Sequence, residues 1–386
     1  TRFGILFALS LICKSLYTNG QTYLSVSGTD LRLNNEKVFM SGMNLAWYQF
    51  GMDFGNGRYQ SDTRTTLIGY LDEIANSGGN SMRLWLHCAG ATTPAFDSNG
   101  FVTNTDAQGT MIADLSDFLD RAQERNILLF IVLWNGARPP TDEMNGLIFD
   151  VDKLDSYIDN ALSPMVRALS GKRALGGWEI MNEPEGMMQA DRVHPSQCFD
   201  TRRMRGSGMG WVNTNTPTED MMRFISRQTA AIHRSDSKAL VTVGSWSEKS
   251  QNDAYPDSQD YYTDICMFEA SNGDLDAYID FYQMHTYTWQ GRYAANSPFK
   301  VHGDTYNLGK PNVIGEFSEA GSEARNITHN MNYAYYYGYN GAWTWHAVAT
   351  GDHTDDLATQ KRGLEWLRNR NDQAKGGRVN IDIRNN

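Results

Sequence analysis

Residues 127–134, Ile-Leu-Leu-Phe-Ile-Val-Leu-Trp, form an uninterrupted apolar run, and a strand this apolar must be covered on both faces. The run follows a helical pattern over 111–125, in which Met111, Leu115, Phe118 and Ala122 share one stripe. The same pairing recurs along the chain. A helix over 63–77 carries Leu67, Tyr70, Leu71, Ile74 and Ala75 on one face and is stopped by Gly78; a strand over 80–86 follows. Helices over 151–170 and 219–234 precede strands over 176–182 and 239–245. Strands over 38–45, 279–287, 312–317 and 340–346 complete a set of eight, and a helix over 355–368 closes the chain. Alternation of this kind predicts an α/β fold with parallel strands and crossover helices. A doubly wound open sheet shares that pattern, but eight units point to one closed (β/α)8 barrel. The longest gap between strands includes residues 187–217, an insertion expected to fold over the top face and wall a cleft.

The first residues pair a basic Arg2 with the apolar run 3–13, which reads as a secretory signal peptide over 1–20, cleaved near Gly20/Gln21. The remainder, 21–386, is expected to be a single catalytic domain, secreted and extracellular. With 34 basic against 45 acidic residues the formal net charge is −11, which disfavours a nucleic-acid partner. No later segment has membrane-span length. Cys88, Cys198 and Cys266 lie beyond the leader; Cys198 and Cys266 follow neighbouring predicted strands and form the expected bridge, leaving Cys88 free. Asn326-Ile327-Thr328 is the only N-glycosylation sequon.

Two apolar runs each end on a carboxylate: Trp178-Glu179-Ile180-Met181-Asn182-Glu183-Pro184 and Val313-Ile314-Gly315-Glu316-Phe317. In a parallel barrel those are strand C-terminal ends, where such folds keep their chemistry. Strands four and seven face one another across the mouth. Two opposed carboxyls, one protonated and one ionised, are the machinery of glycoside hydrolysis.

The motifs Ser81-Met82-Arg83-Leu84-Trp85, Asn182-Glu183-Pro184, His285-Thr286-Tyr287, Ile314-Gly315-Glu316-Phe317 and Trp343-Thr344-Trp345 resemble glycoside hydrolase family 5, in family order on strands two, four, six, seven and eight. Residues 177–186 and 283–289 look most like the secreted endo-β-1,4-mannanases of invertebrate digestive fluids. That resemblance implies a retaining endo-β-1,4-mannanase, with Glu183 as acid/base and Glu316 as nucleophile, acting as a monomer on a β-mannan polysaccharide without cofactor or catalytic metal. Arg83 and Tyr287 would keep Glu316 ionised. Asn182 would bind the sugar 2-hydroxyl, and His285 would tune the acid/base. Many family members carry a His just after strand three, where this chain reads Leu133-Trp134-Asn135-Gly136; His87 is a candidate sugar contact. A β-1,4-glucanase on the same scaffold, and a non-catalytic carbohydrate-binding barrel, are the alternatives.

Tryptophans at predicted strand ends could stack on sugar rings: Trp345 and Trp289 first, because they flank the motifs above, then Trp134 and Trp246. The glycine-rich Gly206–Gly210 follows no strand and opens no helix, so it is not a phosphate cradle, and no His/Cys cluster has zinc spacing.

Overall fold

The computed structural model describes residues 23–384, and the expected signal peptide lies outside them. Eight parallel strands close into a barrel in sequential order: β1 Met40–Leu45, β2 Ser81–Cys88, β3 Leu128–Asn135, β4 Leu175–Asn182, β5 Val241–Ser245, β6 Tyr282–His285, β7 Asn312–Phe317 and β8 Gly341–Thr344. Closure is direct: Gly341, Ala342, Trp343 and Thr344 of β8 pair with Met40, Ser41, Gly42 and Met43 of β1. The (β/α)8 barrel expected from the alternation is the observed fold. Ahead of it, a three-stranded antiparallel meander spans Ser25–Ser27, Asp30–Leu33 and Glu36–Lys37.

The pleat sorts each strand by a period of two. On β2, Ser81 and Arg83 point into the barrel, where Ser81 accepts the indole N–H of Trp343 and Arg83 meets Glu179. Met82, Leu84 and Leu86 alternate with them and join the buried apolar core. The barrel interior is therefore apolar low down, around Phe130 and Trp343, and charged toward the C-terminal face.

The predicted helices appear as α1 Arg64–Asn76, α2 Met111–Glu124, α6 Thr218–Ser235 and α9 Leu357–Leu367. The single helix expected over 151–170 is instead α4 Val151–Tyr157 and α5 Ser163–Leu169, joined through a π-helical turn at Ile158–Leu162. Pro164 lacks an N–H and crowds the preceding turn, so the spiral widens ahead of it. Sequence periodicity did not reveal three further helices: α3 Asp142–Phe149, α7 Asp264–Ala270 and α8 Ile327–Tyr336. Between β6 and β7 the connection holds no α-helix, only a 3-10 turn at Gly303–Tyr306.

The insertion after β4 packs down as a cap. Residue Gln189 donates its backbone N–H to Thr216, and Thr216 donates back to Met187. The expected bridge is present: Cys198 of the insertion is bonded to Cys266 of α7, and Cys88 is free and buried.

Candidate active site

Glu183 follows β4 in a left-handed conformation (φ 46°, ψ 54°), which a residue with a Cβ adopts at a cost of about 1–2 kcal/mol. Its backbone N–H is fixed to the Gly244 carbonyl at 2.6 Å, and Pro184 rigidifies the next step. The turn swings the carboxyl back over the barrel mouth. There Glu183 Oε1 lies 2.8 Å from His285 Nδ1 at the end of β6. The same nitrogen lies 3.6 Å from Glu316 Oε1, which projects from β7.

Glu316 accepts from Arg83 Nη1 at 2.7 Å and from the Tyr287 hydroxyl at 3.0 Å. Arg83 is entirely buried, and its guanidinium spends every edge. Nε and Nη2 clasp Glu179 at 2.7 and 2.6 Å, Nη2 also reaches Asn182 Oδ1 at 2.8 Å, and Nη1 reaches Asn44 Oδ1 at 2.8 Å. Glu179 also accepts from Gln283 Nε2 at 2.7 Å. Room for this cluster depends on Gly244, where an added Cβ would sit 2.3 Å from Glu179 Oε1 and 2.9 Å from Arg83 Nη2.

Burial would strip the charge from Arg83, but Glu179 and Glu316 overturn it and hold the guanidinium above its ordinary pKa. Burial pushes the Glu183 carboxyl up to about 7, against the pull of Arg83 and with the push of Glu179. Glu316 is raised too, by burial, while His285 and Arg83 oppose the rise. His285 falls to about 4, chiefly because it is buried, and so is neutral at physiological pH. The two carboxyls thus compete for one proton. The Arg83 ion pair and the Tyr287 hydroxyl lie on Glu316, which leaves the proton to Glu183. Burial and the charge on Glu316 keep Tyr287 protonated.

Six of the expected residues come together: Arg83, Asn182, Glu183, His285, Tyr287 and Glu316. Trp345 stands half-buried at the end of β8, 6.0 Å from Trp85 and 5.9 Å from Trp47 between ring centres, while Arg83 lies 5.7 Å from the Trp85 ring. Trp246 is partly buried beyond β5, 5.8 Å from Trp211 of the insertion. Trp289 is 81% exposed on a tight turn after β6 and has no ring partner among the described residues.

Two expected sugar contacts are corrected. Trp134 is fully buried on the outer side of β3, its indole N–H donated to Gln228 of α6 at 2.9 Å and its ring packed on Tyr157 and Phe224. A break in alternation explains this: the β2–β3 register shifts between Trp85/Val132 and Cys88/Trp134, so Trp134 leaves the face shared by Phe130 and Val132, while Asn135, next along, accepts from Asn182 at 2.9 Å. His87 is also fully buried. The β2–β3 register shifts between Trp85 and Cys88, and His87 turns onto Trp134 with Nδ1 2.9 Å from Thr93 Oγ1.

Sequence reading passed over Glu179, Asn44, Gln283 and Trp211. Glu179 did leave a signal, because a lone charge inside a buried apolar strand demands a partner. Among the described residues the only His/Cys/Asp/Glu group within metal-holding range is Glu183, His285 and Glu316, with ligand atoms within 4.8 Å of one another. Arg83, a cation already 2.7 Å from Glu316, opposes a second cation there.

A closed parallel barrel carrying a proton-sharing carboxyl pair at its C-terminal face is a glycoside hydrolase scaffold with the matching chemistry. The mannan endo-1,4-beta-mannosidase of Cryptopygus antarcticus is 44% identical over 364 residues, covering 94% of each chain. That of Mytilus edulis is 42% identical over 374 residues, 96% of this chain and 98% of its own. The crystal structure of endo-1,4-beta-mannanase from Eisenia fetida matches with a TM-score of 0.93 at 53% identity, covering 94% of this chain and 100% of that one. No protein-family model matches the chain. The chain belongs to the mannan endo-1,4-beta-mannosidases, and these relatives favour mannan over the glucan and non-catalytic alternatives.

Proposed function

We propose that this protein is a secreted, monomeric endo-β-1,4-mannanase that cuts internal mannosidic bonds of mannan, glucomannan or galactomannan with retention of anomeric configuration. Glu183 protonates the leaving glycosidic oxygen while Glu316 attacks the anomeric carbon. Glu183 then deprotonates the water that releases the glycosyl-enzyme. Asn182 takes the sugar 2-hydroxyl, and Trp345 stacks beneath the reacting ring. Trp246 and Trp289 serve more distant sugars.

The observation that carries this reading is the spacing of the carboxyls, with one oxygen of each within 4.8 Å of the other and of His285. Retaining pairs stand about 5–5.5 Å apart, whereas inverting pairs leave about 6.5–9.5 Å for a water. Secretion is supported by the Cys198–Cys266 bridge, since such bonds persist in oxidising compartments. Among the described residues no helix is long and apolar enough to cross a membrane.

The test is proton NMR of the first products from a mannohexaose, paired with reducing-sugar release from mannan and carboxymethylcellulose. Initial β-anomer and release from mannan are expected. Initial α-anomer would reject retention, and release from carboxymethylcellulose alone would reject the substrate.

A further inference from the structure

The outer wall of the barrel carries a feature the hydrolytic site does not use. Asn326 of the sequon caps α8, and it is exposed. Its Oδ1 is occupied, accepting the backbone N–H of His329 and the Thr328 hydroxyl, each at 2.8 Å. Its Nδ2, the atom a glycan would use, makes no hydrogen bond among the described residues. Glycosylation and capping therefore draw on different atoms of one side chain and are compatible in the folded protein.

From that cap a ladder of rings runs along the helix. His329, Tyr333 and Tyr337 lie three, seven and eleven positions on, which at 100° per residue returns each to the Asn326 face. His329 and Tyr333 rings are 6.5 Å apart, Tyr333 and Tyr337 stack at 4.3 Å, and His302 abuts Tyr337 at 4.6 Å. Tyr337 is 38% exposed, and His329 and His302 are exposed as well. Only Tyr333 and Tyr337 stack face to face, with His329 tilted and His302 edge-on, and Tyr337 and the two histidines leave this strip open to solvent. The ladder covers about 16 Å of helix rise from Asn326, a length over which a glycan on Nδ2 would run beside its rings.

We propose that Asn326 carries an N-linked glycan whose first sugars lie along the ring ladder of α8. Transfer takes place on entry into the secretory pathway, from a polyprenyl-pyrophosphate-linked oligosaccharide. The Asn326 carboxamide nitrogen attacks the anomeric carbon, the C–N bond forms and the C–O bond to pyrophosphate breaks. Nδ2 gives its proton to the transferase base, and polyprenyl pyrophosphate leaves. The glycan follows the outside of the barrel, away from the carboxyl pair.

The chain is secreted from an insect-cell host and the peptide containing residue 326 is mapped by mass spectrometry. A hexosamine–hexose series that peptide-N-glycosidase removes is expected, retained in Thr328→Ser and lost in Thr328→Ala. Thr328 is the position to vary because Asn326 itself holds the helix cap. Native deglycosylation is expected to lower Tm by about 2 °C with kcat/KM unchanged, and to leave Tm unmoved in the Tyr333→Ser/Tyr337→Ser variant. A chain in the medium with bare Asn326 overturns the proposal. An equal Tm shift with and without the two tyrosines overturns the ladder as the seat of the glycan. A chain retained inside the cell defeats secretion, and this proposal with it.

Discussion

Glu183 and Glu316 share one histidine nitrogen: His285 Nδ1 stands 2.8 Å from Glu183 Oε1 and 3.6 Å from Glu316 Oε1. Only the first distance is a hydrogen bond. With His285 neutral, the nitrogen either donates to an ionised Glu183 or accepts from a protonated one, so it suits a group that must exist in both forms during one turnover. The alkaline limb of kcat/KM is expected near pH 7, where Glu183 loses its proton. His285→Ala is expected to move that limb while leaving the fold in place. A pH–rate profile on a soluble manno-oligosaccharide checks both, and an unmoved limb would separate His285 from the acid/base.

The proton on Glu183 has a stability consequence of definite sign. Its pKa rises from 4.5 to about 7 on folding, so its contribution is full below 4.5 and is lost as pH rises through 7. Glu183→Gln removes that penalty. The variant is expected to be more stable than the parent by about 3 kcal/mol at pH 8 and nearly equal to it at pH 4. Urea unfolding at the two pH values decides it. Turnover of the same variant is expected to fall about 10²–10⁴-fold, least on substrates with activated leaving groups that need no acid.

Trp134 and Trp345 offer a paired test of position. Trp134→Ala deletes a fully buried ring and its hydrogen bond to Gln228, and is expected to destabilise by about 3–5 kcal/mol. Trp345→Ala, from a half-buried site, is expected to unfold less readily and to lose turnover on polymer and short oligosaccharides alike. Thermal melts beside kinetics on mannotriose and mannan separate the two. A Trp345→Ala enzyme with parental turnover would remove Trp345 from the reacting ring.

Glu179 neutralises Arg83 from below and touches neither candidate reactive oxygen. Glu179→Gln leaves a buried cation with one partner fewer, and a loss of about 3–5 kcal/mol is expected. Because Arg83 would then lean wholly on Glu316, the acid limb of the pH–rate profile is expected to shift downward. An unchanged limb would limit Glu179 to a structural part.

What the sequence disclosed followed how far each signal repeats. Strand β3 is apolar throughout and α2 is striped cleanly, so both were legible within a few residues. The carboxylate-bearing ends of β4 and β7 were legible because a carboxylate stops an apolar run. Helix α8 was not, since its aromatic residues populate both its inner and outer faces and blur the period. Trp134 was misplaced for a related reason. Proximity to a strand end does not say which side of the sheet a ring occupies, and the register shift at the end of β3 put Asn135 in the cleft instead. The turning of His87 depended on an irregular register that no local pattern encodes.

The Arg83 cluster draws on β1 through Asn44, β2 through Arg83 itself, β4 through Glu179 and Asn182, β6 through Gln283, and β7 through Glu316. Five of the eight strands must therefore reach their final register before the guanidinium is satisfied. A one-residue slip of β4 would turn Glu179 out of the barrel and shift Glu183 off the mouth. A barrel with any of these strands out of register leaves the buried guanidinium short of a partner. The same contacts that set the charge of the carboxyl pair thus also check the register of five of the eight strands against one another.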